Sequence, residues 1–89
     1  MKTHQTHPEI IKRLKRASGH VDKVVEMIEN GKGSSDVAQQ LQAVANALNK
    51  AKQIYVQDHI EHCIESVGHQ NLRKFSQQIK ELKEIAKYL

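Results

Sequence analysis

Between Tyr55 and Glu65 the chain sets His59, His62 and Cys63, its single cysteine, within five consecutive positions. On an α-helix, residues three and four apart share one face, with Cβ atoms ~5–6 Å apart. His59 and Cys63 can therefore reach one metal ion, as a thiolate–imidazole pair suited to Cu(I), Zn, Ni or Co. Two ligands do not close a shell, so a third must come from elsewhere, with a partner subunit as the natural source. Two other readings compete for the same residues. A thiolate with His59 as its base would be a nucleophile. No Gly-rich loop or clustered acid completes such a site, so the chain does not read as an enzyme. Alternatively, Cys63 is a small buried core residue with polar trim beside it.

Further candidates lie elsewhere. His4 and His7 occupy a short N-terminal arm, residues 1–7, that can fold back onto a metal, and His62 is a local addition. His20, midway along a helix, reads as filling a polar niche, and His69 falls in a loop. Lys12, Arg13, Lys15 and Arg16 form one basic cluster, and Lys50 and Lys52 a second. In an antiparallel helical hairpin the two clusters meet as one patch able to neutralise DNA phosphates. The alternative is an ordinary solvated face. With no helix-turn-helix spacing, zinc finger or RNA-binding aromatic pattern, such binding would lean on backbone contacts and DNA shape. Fourteen Lys and Arg against ten acids, a formal charge of +4, point mildly the same way.

Three amphipathic helices must position these residues, at about 8–29, 35–67 and 71–88, giving an all-α subunit. Ile10, Leu14, Ala17, Val21, Val24 and Ile28 form the first stripe. Val37, Leu41, Val44, Leu48, Ala51 and Tyr55, then Ile60, Cys63 or Ile64 and Val67, form the second; Leu72, Phe75, Ile79, Leu82, Ala86 and Leu89 form the third. Thr6-His7-Pro8-Glu9 is a candidate capping box, and Ser34 or Ser35 a candidate cap for the second helix. The central helix is roughly 50 Å long and the first roughly 33 Å. Part of the central stripe therefore needs cover from a second chain, so an obligate dimer, paired again into a tetramer, is expected.

Residues 1–89 are expected to form one domain. One Phe, two Tyr and no Trp make a thin core, and one cysteine excludes an intrachain disulfide, so a metal or a partner subunit must supply the missing stability. A free thiol beside histidines fits a reducing cytosol, and a cytoplasmic location is expected. There is no 18-residue apolar run and no secretory signal, so no membrane association is expected.

The string "IKRLKRASGHVDKVVEMIENGKGSSDVAQQLQAVANALNKA", followed by "DHIEHC", resembles the bacterial copper-sensitive operon repressors and their relatives that repress nickel–cobalt efflux and formaldehyde detoxification. The likeness spans essentially the whole chain. It implies a three-helix subunit that dimerises and forms a tetramer, and a repressor that leaves double-stranded operator DNA when its inducer binds. In the copper sensors, Cu(I) is held by a cysteine at the start of helix 2 of one subunit and by a His and Cys from helix 2 of the other. The latter two fall on His59 and Cys63, whereas Ser34 stands at the first position. The nickel–cobalt members recruit N-terminal histidines, for which His4 and His7 stand here. The resemblance also places DNA contacts on Arg13 and Lys50, with Lys12, Arg16 and Lys52 nearby. It implies a supporting glutamate on helix 3, one step removed from the metal, for which Glu81 is the nearest match. The leading expectation is a metal-responsive repressor. The alternatives are a DNA-binding member that has lost metal sensing because Ser34 replaces a ligand, and a helical interaction module.

Overall fold

Helix α1 (His7–Glu29) is followed by the long α2 (Ser34–Val67) and the shorter α3 (Leu72–Ala86). The computed structural model describes residues 6–67 and 72–89, so His4, His69 and the Gly68–Asn71 break lie outside the described residues. Pro8 sits in the first turn of α1, where its missing N–H costs nothing. The expected capping box does not form. Thr6 lies in the right-handed helical region, whereas a capping side chain needs extended backbone. Its hydroxyl is buried without a partner, and Glu9 pairs instead with Arg13 at 3.4 Å.

The end of α1 is closed by backbone alone. The Lys32 N–H donates to the Met27 carbonyl at 3.0 Å and the Gly31 N–H to Ile28 at 3.1 Å. This pairing requires a left-handed residue, and Gly31 supplies it with φ +69°. At the start of α2, the Val37 N–H donates to the Gly33 carbonyl at 3.1 Å. Gly33 is thus the cap and Ser34 the first helical residue, one place earlier than a serine cap would give.

The subunit is one helix layer deep. Its extents are 60 × 24 × 14 Å and its radius of gyration is 18.2 Å, against about 12 Å for a compact chain of this length. Helix α1 packs antiparallel on α2, with His20 opposite Gln40 and His7 opposite Tyr55. Helix α3 returns along the far end of α2, and among the described residues α1 and α3 do not touch.

Few residues are buried: Ile10, Ala17 and Val24 on α1, and Val44, Ala51, Val56 and Cys63 on α2, the last on the side met by α3. Half of the expected α1 stripe is buried, a smaller part of the α2 stripe, and none of the described α3 stripe. Leu14, Val21 and Ile28 on α1, and Leu41, Leu48 and Tyr55 on α2, are exposed and recur every seven residues. A single layer covers one seam of each helix and leaves the adjacent one bare. Among the described residues, no helix is long and apolar enough to cross a membrane.

Candidate metal centre

Near the C-terminal end of α2, His59 and Cys63 are one turn apart on the face met by α3, and Glu81 comes across from α3 to join them. One ligand atom from each lies within 4.8 Å of the other two. It is the group of three such side chains found among the described residues. Cys63 is almost wholly buried at 2% exposure, His59 is half-buried and Glu81 is exposed. Ligands bound at 2.0–2.3 Å around a tetrahedral ion lie roughly 3.5 Å apart. The group is therefore wider than such a shell and needs some contraction to hold an ion. Glu81, expected as a supporting glutamate, brings its carboxylate within 4.8 Å of both ligand candidates.

Two effects push the Cys63 thiol up: burial first, then the Glu81 carboxylate beside it. Both effects favour the neutral thiol. An open groove of about 300 Å³ adjoins the group, walled by His59 and by Glu81, Glu84, Ile85 and Tyr88 of α3. Glu84 is turned toward Lys87 at 3.3 Å. Sequence reasoning missed the α3 wall of this groove, although the spacing Glu81, Ile85, Tyr88 marks one helical face.

The other candidate ligands fall elsewhere. His7 is not in a flexible arm but opens α1, stacked on Tyr55 with ring centroids 5.5 Å apart and its Nε2 4.0 Å from an Asp58 carboxylate oxygen. It therefore meets α2 next to His59 without joining the group. His62 is half-buried one turn from His59 and also stands outside it. Ser34 is exposed at the opposite end of α2, 29 residues from Cys63 by arithmetic on the sequence (63 − 34) and so ~44 Å away along the axis. Within one subunit it cannot share a metal with Cys63.

The three-helix chain has counterparts among known proteins. Residues 6–88 match the model of the metal-sensitive transcriptional repressor family. The chain belongs to that family. The copper-sensing transcriptional repressor CsoR of Mycobacterium ulcerans (strain Agy99) is 38% identical over 53 residues, which cover 60% of this chain and 45% of the relative. CsoR of Bacillus subtilis (strain 168) is 32% identical over 63 residues, 71% of this chain and 62% of that one. The match thus spans under half of the mycobacterial relative and under two thirds of the Bacillus one. The solved structure of the nickel-responsive transcriptional regulator InrS superposes with a TM-score of 0.79 at 28% identity, covering 92% of this chain and 91% of that one.

The basic residues of this metal-sensitive repressor family member divide between two settings. Arg13 and Arg16 lie on the side of α1 turned to α2, and with Ala17, His20 and Ala47 they line a recess. Lys12, Lys50 and Lys52 are exposed, with Lys50 one turn beyond Ala47. The antiparallel hairpin does bring the arginines of α1 to the middle of α2. A contact missed in the sequence holds this region: His20 and Gln40 are hydrogen-bonded at 2.6 Å across the two helices.

Proposed function

We propose that this chain is a DNA-binding transcriptional repressor that responds to a transition metal held by His59, Cys63 and Glu81. The observation that carries the reading is the meeting of these three side chains where α3 packs on α2. A carboxylate beside a thiolate and an imidazole suits Zn, Co or Ni better than Cu(I), which favours soft ligands. Copper is the metal named for the CsoR relatives and nickel for InrS.

The chain's own residues supply the coupling. When bound, the metal adds positive charge that reverses the local preference for a neutral thiol, so Cys63 gives up its proton. His59 and Cys63 on α2 are then tied to Glu81 on α3. His59 is next in sequence to Asp58, which faces His7 at the start of α1. The metal centre thus borders both helix contacts of α2, including the one that leads along α1 to Arg13 and Lys12. Release from DNA requires the metal-holding state and the DNA-holding state to differ in affinity for both ligands.

The bare seam of Leu14, Val21 and Ile28 with Leu41, Leu48 and Tyr55 supports a dimer as the working unit, paired again into a tetramer. We place it in the cytoplasm, in keeping with a cysteine outside any disulfide as a sensing group.

The test is an anaerobic gel shift with the DNA upstream of the protein's own gene, adding Cu(I), Ni, Co and Zn in turn. Release by one metal is expected, and its loss in His59→Ala and Cys63→Ala. Binding indifferent to all four metals would favour the second reading, a repressor without metal sensing, for which Ser34 at the usual cysteine position is the supporting observation. No DNA binding under any condition would overturn both.

A further inference from the structure

The group of His59, Cys63 and Glu81 is open on one side. Its ligand atoms meet within 4.8 Å, and His59 and Glu81 continue into the groove of about 300 Å³ that Glu84, Ile85 and Tyr88 complete. Three protein ligands leave one place of a tetrahedral ion unfilled. Sites that hold zinc for structure close that place with a fourth side chain, whereas an open place takes water and serves catalysis. A regulator with no reaction to run has no use for the open form.

Glu84 is the wall residue able to close it. It follows Glu81 by three positions, so on α3 the two carboxylates share one face, with Cβ atoms ~5–6 Å apart. Ile85 has no donor atom, and Tyr88 lies beyond Ala86, the last residue of α3. Glu84 is held off the group by Lys87, whose ammonium donates to its carboxylate at 3.3 Å. Both side chains of that pair are exposed, and such a pair contributes little to stability. A divalent cation, with twice the charge, outcompetes the ammonium. The released ammonium remains at the C-terminal end of α3, where positive charge is favourable.

We propose that Glu84 leaves Lys87 to become the fourth protein ligand of a divalent metal held by His59, Cys63 and Glu81. The inference rests on the metal-sensing reading above and deepens it: the shell closes within one subunit, with nothing required from position 34. Two ligands one turn apart on α2 then face two ligands one turn apart on α3, so the metal clamps the helices at two levels. Glu84 also sets selectivity. Zn, Co and Ni accept oxygen donors, whereas Cu(I) is satisfied by thiolate and imidazole and gains little from a carboxylate.

The experiment titrates the full chain anaerobically with Co(II) alone, and measures Zn and Cu(I) affinity by competition with chromophoric chelators. Wild-type protein is expected to show the Cys63–Co(II) charge-transfer band together with the intense d–d bands of a four-coordinate ion. Glu84→Gln, at an exposed position, is expected to keep the charge-transfer band but lose d–d intensity as water replaces the carboxylate. Its Co(II) and Zn affinities are expected to fall by at least about 10-fold, the least that loss of a supporting group costs. Its Cu(I) affinity is expected to stay unchanged. Lys87→Gln is expected to tighten Co(II) binding several-fold, and to have no effect when Glu84→Gln is already present. Co(II) bands unaltered in Glu84→Gln overturn the assignment, as does an equal loss of Co(II) and Cu(I) affinity, which marks general damage. A Lys87 effect that persists without Glu84 also overturns it, because the lysine then acts through its charge alone. Absence of the thiolate–Co(II) band in wild type overturns the metal-sensing reading itself.

Discussion

Glu81 of α3 places a carboxylate oxygen within 4.8 Å of the Cys63 sulfur on α2, so an acid and a thiol share one partly buried space. Burial and the carboxylate both favour the neutral thiol. The sign follows directly. Thiolate is scarcer at neutral pH than for an exposed cysteine, and alkylation of Cys63 should be slow until pH rises past the ordinary thiol range. Folding stability from this group is present below that range and falls as pH climbs through it toward the raised value. In Glu81→Gln, iodoacetamide should react several-fold faster at fixed pH, with the rate–pH profile displaced downward. An unmoved profile would show that the two groups do not sense each other.

The proposed role of Glu81 as a third ligand predicts that removing it shows as lost coordination. Loss of a group that merely supports a ligand weakens metal binding about 10–100-fold. Glu81→Ala should exceed that for Zn and Co, and should alter the visible d–d bands of the Co(II) protein. Bands identical to wild type would return Glu81 to a supporting role.

Ser34 tests where a further ligand can come from. At ~44 Å from Cys63 along α2, it reaches that residue only from a second chain. Ser34→Cys should therefore tighten Cu(I) binding in the associated protein, measured by competition with a chromophoric Cu(I) chelator. Unchanged Cu(I) affinity would mean that no neighbouring subunit delivers position 34 to the centre.

These residues differ in how far the sequence revealed them. Helical periodicity placed all three helices to within one or two residues, because apolar spacing is a local property. The His59–Cys63 pair was legible for the same reason. Glu81 could be assigned only through family resemblance, since its register against α2 depends on a chain reversal that spacing does not encode. The capping box failed at Thr6 because a motif of residue types does not fix the backbone angle that a cap needs. Leu14 and Leu48 matched their stripes as well as Ala17 and Ala51 did, yet lie outside the seam. Periodicity identifies an apolar face, not the chain that covers it.

That second apolar seam should be buried by self-association. Leu48, 44% exposed at the middle of α2, is the position to break it. Burying a leucine side chain contributes about 1.5–3 kcal/mol, and a charge in its place adds a desolvation cost. Leu48→Glu should lower the oligomer mass in sedimentation equilibrium and lower the melting temperature in a concentration-dependent way. Equal mass for both proteins at micromolar concentration would place the interface elsewhere.

Gly19 sits in mid-helix on α1, between Ser18 and His20, and a Cβ built there meets nothing within 4 Å. Its φ is not in the left-handed region, so neither packing nor backbone geometry within the subunit calls for glycine. Glycine in a helix interior costs about 0.8–1.0 kcal/mol relative to alanine. If the subunit's own contacts decide the outcome, Gly19→Ala should raise the melting temperature by roughly 4–8 °C. The variant should be measured by thermal melting, sedimentation and duplex binding together. A higher melting temperature with association and DNA affinity intact leaves Gly19 without a structural role. A loss of association identifies a second chain approaching α1 more closely than a methyl group allows, and a loss of duplex affinity alone identifies DNA as that close neighbour, one residue from the His20 wall of the recess.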